Sequence, residues 1–321
     1  MPNKIPHLSL KRFRFGNELE QTEFAEELCA ALKQFGFFIL DDHGIEQEKI
    51  DRALRSMATF FALPYEEKLR YEIAEALGQR GYTGFGDKQS IRDQAPDPKE
   101  YWHMGREMFA GIASDDVQMR PQMTNVWPEE MPEFRAALVD LFDAVDDASK
   151  SLVAALGKGL GTPEGYFEEL TEDGNCVLRC LHYPPLAASE TFARAGYRAA
   201  PHKDINFFTL LVGETNSGLQ FMDQDSEWLE VEAEPGALVV DSGEMLSLVT
   251  NNLIPATTHR VIKPQTQDSS RYSMVFLVHP RPEALLSGIV SLGVASETRE
   301  PIPAQEFLMN RIWYWTQNSI Q

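Results

Sequence analysis

The sequence predicts an α+β protein, a mostly helical N-terminal region followed by many short strands. Three observations carry that expectation. Up to about residue 160, apolar residues recur at helical spacing over long stretches. From Asn175 the pattern changes to short apolar or alternating runs. Asn216-Ser217-Gly218, Pro235-Gly236, Ser242-Gly243 and Pro264 punctuate those runs at the spacing of a sandwich or barrel.

Taken in order, Ile5 to Leu10 alternates weakly and reads as an edge strand. Phe24, Leu28, Ala31, Leu32 and Phe35 form the stripe of a helix from Leu19 to Phe35, which Gly36 ends. Phe37 to Leu40 is a buried strand, Gln47 to about Ala62 a second helix, and Pro64 starts a short third one. Ala76 to Met123, with glycines at 78, 81, 84 and 86, is the least regular stretch and is expected to include a mobile cover over a site. Pro132 to Leu156 is a strong amphipathic helix, closed by Gly157, Gly159 and Gly161. Strands follow at Val177–Tyr183, Phe207–Val212, Leu219–Met222, Trp228–Val231, Ala237–Val240, His259–Ile262 and Tyr272–Val278. Pro303 to Trp315 reads as a last helix, with Phe307, Leu308, Ile312 and Trp315 on one side.

Composition narrows the function. With 321 residues, 43% hydrophobic and 24% charged, the chain can bury a sizeable core. A formal net charge of -20 argues against a nucleic-acid partner. No run reaches the roughly 18 apolar residues of a membrane span, and Met1 to Pro6 lacks the apolar core of a signal peptide. A cytoplasmic protein with no membrane partner is expected. Cys176 and Cys180 lie too far apart along a strand for a disulfide. The sequence leaves the oligomeric state open.

The chemistry concentrates between Ala200 and Val278. On a strand, residues two apart share a face, so His202 and Asp204 can offer two ligands together. His259, on a distant strand, offers a third. Two histidines and one carboxylate leave adjacent positions open on an octahedral ion, the set that non-haem iron(II) oxygenases use. His-x-Asp alone is a weak signal, more often a paired His and Asp on a solvated strand. Arg271 and Ser273 also share a face, and a guanidinium fork with a hydroxyl suits a carboxylate. Tyr183 ends its strand before Pro184-Pro185 and can add a donor.

These pieces together resemble the isopenicillin N synthase-like family of iron(II)- and 2-oxoglutarate-dependent oxygenases. The resemblance rests on His182-Tyr183-Pro184-Pro185, His202-x-Asp204, Gly218-Leu219-Gln220, Trp228, Pro235-Gly236-Ala237 and Gly243-Glu244-Met245-Leu246, followed by Thr250-Asn251, His259-Arg260-Val261 and Arg271-Tyr272-Ser273. Gly36-Phe37-Phe38 and His43-Gly44-Ile45 extend it to the N-terminal region. It implies a double-stranded β-helix (jelly-roll) core framed by helices. The division expected is an N-terminal helical region over 1–125, framing helices over 126–170, the core over 171–285 and a helical tail over 286–321. It further implies iron at His202, Asp204 and His259, with Arg271, Ser273 and Tyr183 on the far carboxylate of 2-oxoglutarate. One departure is Leu181, where members often carry Asn.

The implied reaction consumes 2-oxoglutarate and dioxygen, releases succinate and carbon dioxide, and hydroxylates or desaturates a small molecule. Asp204 argues against a halogenase, because those relatives lack the carboxylate. Two alternatives stand beside this reading. One is an oxidative cyclase of the same fold that does not use 2-oxoglutarate. The other is a jelly-roll protein that binds a metal or small ligand without catalysis. For the substrate pocket, alternation points to Asn206, Val275 and Leu277, and the irregular stretch offers His103 and Arg106.

Overall fold

The computed structural model describes residues 5–85, 98–107, 124–185, 197–214, 218–263, 269–289 and 300–318. Its helices are α1 (Leu10–Phe15), α2 (Glu18–Phe35), α3 (Gln47–Phe61), α4 (Tyr65–Lys68), α5 (Pro132–Leu160), α6 (Tyr166–Thr171), α7 (Glu244–Val249) and α8 (Ala304–Asn318). The strands of the N-terminal region are β1 (His7–Ser9), β2 (Phe37–Asp41), β3 (Gly81–Thr83) and β4 (Glu100–Gly105). Eight more follow: β5 (Val177–Tyr183), β6 (Ala199–His202), β7 (Phe208–Glu214), β8 (Leu219–Met222), β9 (Trp228–Glu230), β10 (Leu238–Ser242), β11 (His259–Val261) and β12 (Arg271–Val278). A short pair, β13 (Leu285–Leu286) and β14 (Ile302–Pro303), precedes α8.

A large sheet has the order β1-β2-β10-β7-β12-β5-β4-β3, and a small one β6-β11-β8-β9. Along β5 to β12 the chain passes between the two sheets repeatedly, the winding of a double-stranded β-helix. The large sheet is buried on both faces. Leu178, Cys180, Leu210, Val240, Met274 and Phe276 pack in one core with α2, α3 and α5. Phe37, Ile39, Leu181, Tyr183 and Val239 pack in a second core with Leu219, Phe221 and Val261 of the small sheet. The period of two therefore fixes which side chains look into the space between the sheets.

Local sequence explains the frame. Asn17 caps α2 by accepting from the backbone N–H of Leu19 and Glu20, and Glu20 returns the bond to Asn17 N. Gly36 ends it at φ 67°, a left-handed position that costs glycine little. Glu100 is buried between Lys68 Nζ at 2.6 Å, the Tyr82 hydroxyl and His182 Nδ1 at 2.7 Å. That cluster ties α4, β3, β4 and β5 together.

Several expectations change. The stretch from Ala76 to Met123 is less irregular than its glycines suggest, since β3 and β4 extend the large sheet. Most of the expected cover, 86–97 and 108–123, lies outside the described residues. The Asn216-Ser217 and Pro264 turn signals also fall outside them, as does the side chain of Trp315. Ile5 to Leu10 yields a strand of three residues before α1 begins. The segment Glu244–Val249 is helical, and β6 ends at His202, two residues short of a strand that would include Asp204.

Helix α5 runs through Gly157 and Gly159 to a C-cap at Gly161. Gly159 is there for approach, because a Cβ on it would lie 2.2 Å from Ala25 O and 2.6 Å from Cys29 Sγ on α2. At Gly157 the nearest atom to such a Cβ is Thr162 Oγ1 at 3.3 Å. Gly159→Ala is therefore expected to destabilise by about 1–3 kcal/mol through overpacking, despite the better helix propensity of Ala. Gly157→Ala should be near neutral or gain up to ~1 kcal/mol. Urea unfolding of both variants checks this, and equal midpoints would contradict the packing argument.

Candidate active site

The inner faces of the two sheets enclose a cavity lined by His202, Asp204, His259, Arg271, Ser273 and Tyr183 among others. His202 ends β6 and is the cross-strand partner of His259 on β11. Their rings lie 4.4 Å apart between centroids. Asp204 Oδ1 sits 3.8 Å from His202 Nε2 and 3.9 Å from His259 Nε2. One ligand atom from each of the three falls within 4.8 Å of the others, a spacing suited to one ion. Among the described residues this is the one such group of His, Cys, Asp and Glu.

Each of the three is oriented by a second partner. His202 Nδ1 lies 2.7 Å from Ala200 O, and His259 Nδ1 lies 3.3 Å from Thr257 O. Bonding to a carbonyl puts the proton on Nδ1 and leaves the Nε2 lone pair facing Asp204. The Thr209 hydroxyl donates to Asp204 Oδ2, which directs Oδ1 at the histidines. Thr209 Oγ1 in turn accepts from Asn206 Nδ2 at 3.1 Å. The loop carrying Asp204 hangs on the start of α7, where Gly243, Glu244 and Met245 N–H groups donate to the carbonyls of Phe207, Asp204 and Ile205. Gly243 permits this, because a Cβ there would lie 2.2 Å from Asn206 O.

The charges suit a cation. Burial, then the neighbouring His259, pushes the His202 imidazole down to about 4, so it is neutral at pH 7. Burial alone would raise the Asp204 carboxyl, but His259, His202 and the Thr209 bond outweigh it and hold it below the usual range. Asp241 lines the same cavity, 3.9 Å from His259 Nδ1. Burial, then the charge of Asp204, holds its carboxyl well above the usual range.

At the other end of the cavity, Arg271 and Tyr183 are cross-strand partners on β12 and β5. The guanidinium carbon lies 5.2 Å from the Tyr183 ring centre, and Nη1 donates to Ser273 Oγ at 3.1 Å. Nη2 donates to the Glu214 carboxylate. Leu181, opposite Ser273, gives this end an apolar wall.

The substrate-pocket expectations divide. Val275 and Leu277 line the cavity. Asn206 does not: it is buried under Thr209 and bonds Phe208 O, because the chain leaves strand geometry after His202. His103 is buried behind the wall, its Nε2 accepting from Arg179 Nε. Arg106 is bound on both terminal nitrogens by Asp146, at 2.7 and 2.5 Å, and so is structural. Sequence reasoning missed Thr209, Asp241, Arg179 and Lys99, all on the cavity wall. Arg179 carried a usable signal, since it shares a strand face with Leu181 and Tyr183.

Comparison with known proteins bears on this arrangement. Residues 5–130 match the family described as non-haem dioxygenase in morphine synthesis N-terminal, and residues 174–280 match the 2OG-Fe(II) oxygenase superfamily. A 2-oxoglutarate-Fe(II) type oxidoreductase of Aspergillus fumigatus is 29% identical over 290 residues, 88% of this chain and 84% of that protein. A protein from Caulobacter crescentus assigned to the 2OG-Fe(II) oxygenase family has a similar structure, with a TM-score of 0.83 and 35% identity over 97% of this chain and 98% of that one. Neurospora crassa T7H in complex with α-ketoglutarate (2-oxoglutarate) also superposes at 0.83, with 27% identity over 96% of each chain. These relatives favour the use of 2-oxoglutarate over a cosubstrate-independent oxidase. The chain belongs to the isopenicillin N synthase-like 2-oxoglutarate- and iron(II)-dependent oxygenases, and is a dioxygenase that uses iron(II), 2-oxoglutarate and dioxygen.

Proposed function

We propose that His202, Asp204 and His259 hold the iron(II), and that Arg271, Ser273 and Tyr183 hold the far carboxylate of 2-oxoglutarate. The observation that carries this is that both sets line one cavity, with the three ligand atoms within 4.8 Å of each other. Two imidazole nitrogens and one carboxylate oxygen fit iron(II) in chemical type as well as number. When bound, iron(II) with 2-oxoglutarate and dioxygen supplies the oxidant for a substrate C–H bond. The chain's own residues orient and enclose. Thr209 and two backbone carbonyls hold the ligands in place. Leu211, Leu219, Val239, Val261, Val275 and Leu277 keep the cavity wall apolar.

The substrate is a small molecule rather than a nucleic acid, as the net charge of -20 favours. Thymine occupies the structure of Neurospora crassa T7H, 25% identical with a TM-score of 0.82. A cytoplasmic location suits three cysteines that are all buried and free. Among the described residues, no helix is long and apolar enough to cross a membrane. The division at 125, 170 and 285 has the support of family matches over 5–130 and 174–280.

His202→Ala, Asp204→Ala and His259→Ala should each lose most bound iron and nearly all turnover while keeping the wild-type circular dichroism. Full activity in His259→Ala would sink this triad. Thr209→Val should retain all three ligands yet weaken iron binding by about ten- to a hundredfold, the usual cost of losing a partner that orients a ligand. Anaerobic iron titration measures it, and wild-type affinity would remove Thr209 from the site. Arg271→Lys keeps the charge but loses the fork. Losing one charge-assisted hydrogen bond costs roughly 1.5–3 kcal/mol, so the KM for 2-oxoglutarate should rise by about ten- to a hundredfold, and more in Arg271→Ala. If the loss is confined to binding, kcat at saturating 2-oxoglutarate falls much less than kcat/KM. An unchanged KM in Arg271→Ala would reject the anchor.

A further inference from the structure

Arg179 is a cavity-wall cation that neither the iron site nor the 2-oxoglutarate anchor uses. It lies on the inner face of β5, opposite Val275 of β12. Arg271 is four residues from Val275, about 13 Å along the strand. The two guanidiniums therefore serve different ends of the cavity.

Only one edge of Arg179 is engaged. Its Nε donates to His103 Nε2, and the Tyr101 ring centre lies 5.5 Å from its guanidinium carbon. His103 suits that role, since burial and then the charges of Arg179 and Arg80 hold its imidazole neutral and able to accept. Neither terminal nitrogen of Arg179 has a hydrogen bond or ion pair with a described residue. Several other partly buried arginines differ, although Arg80 and Arg260 also meet only neutral acceptors. Arg14 meets Asp147, Arg106 meets Asp146, Arg271 meets Glu214 and Arg311 meets Glu244. A fork held by its Nε and left without a carboxylate is preorganised for a planar pair of acceptor oxygens.

The charge of the wall selects among such acceptors. Lys99 joins Arg179 on the wall. The carboxylates there are Asp204, committed to the metal in the proposed site, and Asp241, which sits beside His259. Among the described residues no carboxylate pairs with Arg179, so its charge is left for a bound acid. We propose that Arg179 is the substrate-recognition residue and that the oxidised substrate is a small carboxylic acid, its carboxylate gripped by the two terminal nitrogens. This rests on the reading of the cavity as the 2-oxoglutarate-dependent active site.

The test uses titration calorimetry on anaerobic enzyme loaded with iron(II) and 2-oxoglutarate. The probes are benzoate, phenylacetate, hexanoate and nicotinate, each beside its primary amide, which keeps the shape and removes the charge. At least one acid should bind the wild type about tenfold or more tightly than its amide, the worth of one charge-assisted bond. Arg179→Gln should abolish that preference and Arg179→Lys should keep part of it. Iron content and 2-oxoglutarate affinity should stay at wild-type values in both, which also reports a folded site. No acid preference in any pair overturns the proposal, as does a preference that survives Arg179→Gln. Weakened 2-oxoglutarate binding in Arg179→Gln also overturns it, by moving Arg179 into the cosubstrate anchor. Wild type that binds no 2-oxoglutarate at all overturns the active-site reading itself, and the proposal with it.

Discussion

The large sheet is buried on both faces, and everything at the site depends on that. A strand covered by helices on one side must alternate between two environments with a period of two. On β12, Met274, Phe276 and Val278 join the helical core, so Arg271, Ser273, Val275 and Leu277 are left for the cavity. The same rule assigns Arg179, Leu181 and Tyr183 on β5, Thr209 and Leu211 on β7, and Val239 and Asp241 on β10. A slip of one residue would send a guanidinium into the helical core and a phenylalanine into the cavity. Register, set by dozens of apolar contacts far from the site, is what aims the functional groups.

Such a site needs polar groups in an apolar interior, and each must find a partner there. The structure meets this with chains of bonds. Asn206 supports Thr209, Thr209 supports Asp204, and the first N–H groups of α7 hold the loop from which Asp204 projects. Those N–H groups have no partner within their own helix, so holding the loop satisfies them too. Substrate chemistry aside, most of the polar residues around the cavity are accounted for by what they hold in place.

Legibility in the sequence followed the range of the interactions. Strands β5 and β8 were readable to the residue, because apolar period and flanking turns are local signals. That His202, Asp204 and His259 would meet, and that Arg271 and Ser273 would share a face, was readable because spacing and residue type survive without coordinates. Strands β3 and β4 were hidden by glycines, since that stretch is extended through pairing of β4 with β5 and of β3 with β4. Gly159 was taken for a helix end, whereas its reason lies on another helix, at Ala25 O. Asn206 was put on the cavity wall by extrapolating strand alternation past His202, where the strand stops. Thr209 carries no signal of its own, since a threonine in a strand is ordinary until a carboxylate is found beside it.

The two carboxyls on the wall show how the site sets its own charge. Asp204 is held ionised by the histidines and Thr209, while Asp241, more isolated, is pushed toward its neutral form. Had both ionised, like charges in one low-dielectric cavity would repel, and a divalent ion would be fully neutralised. With Asp204 as the one carboxylate ligand, iron(II) in the proposed site would keep a net positive charge toward the keto acid of 2-oxoglutarate. His202, at about 4, is already deprotonated at neutral pH. Metal capture there has no proton to displace from His202 or Asp204, which removes a cost that metal sites often carry. Asp241 lies beside His259 Nδ1 at 3.9 Å. Burial, which raises the Asp241 carboxyl, is outweighed at Asp204 by the histidines and Thr209.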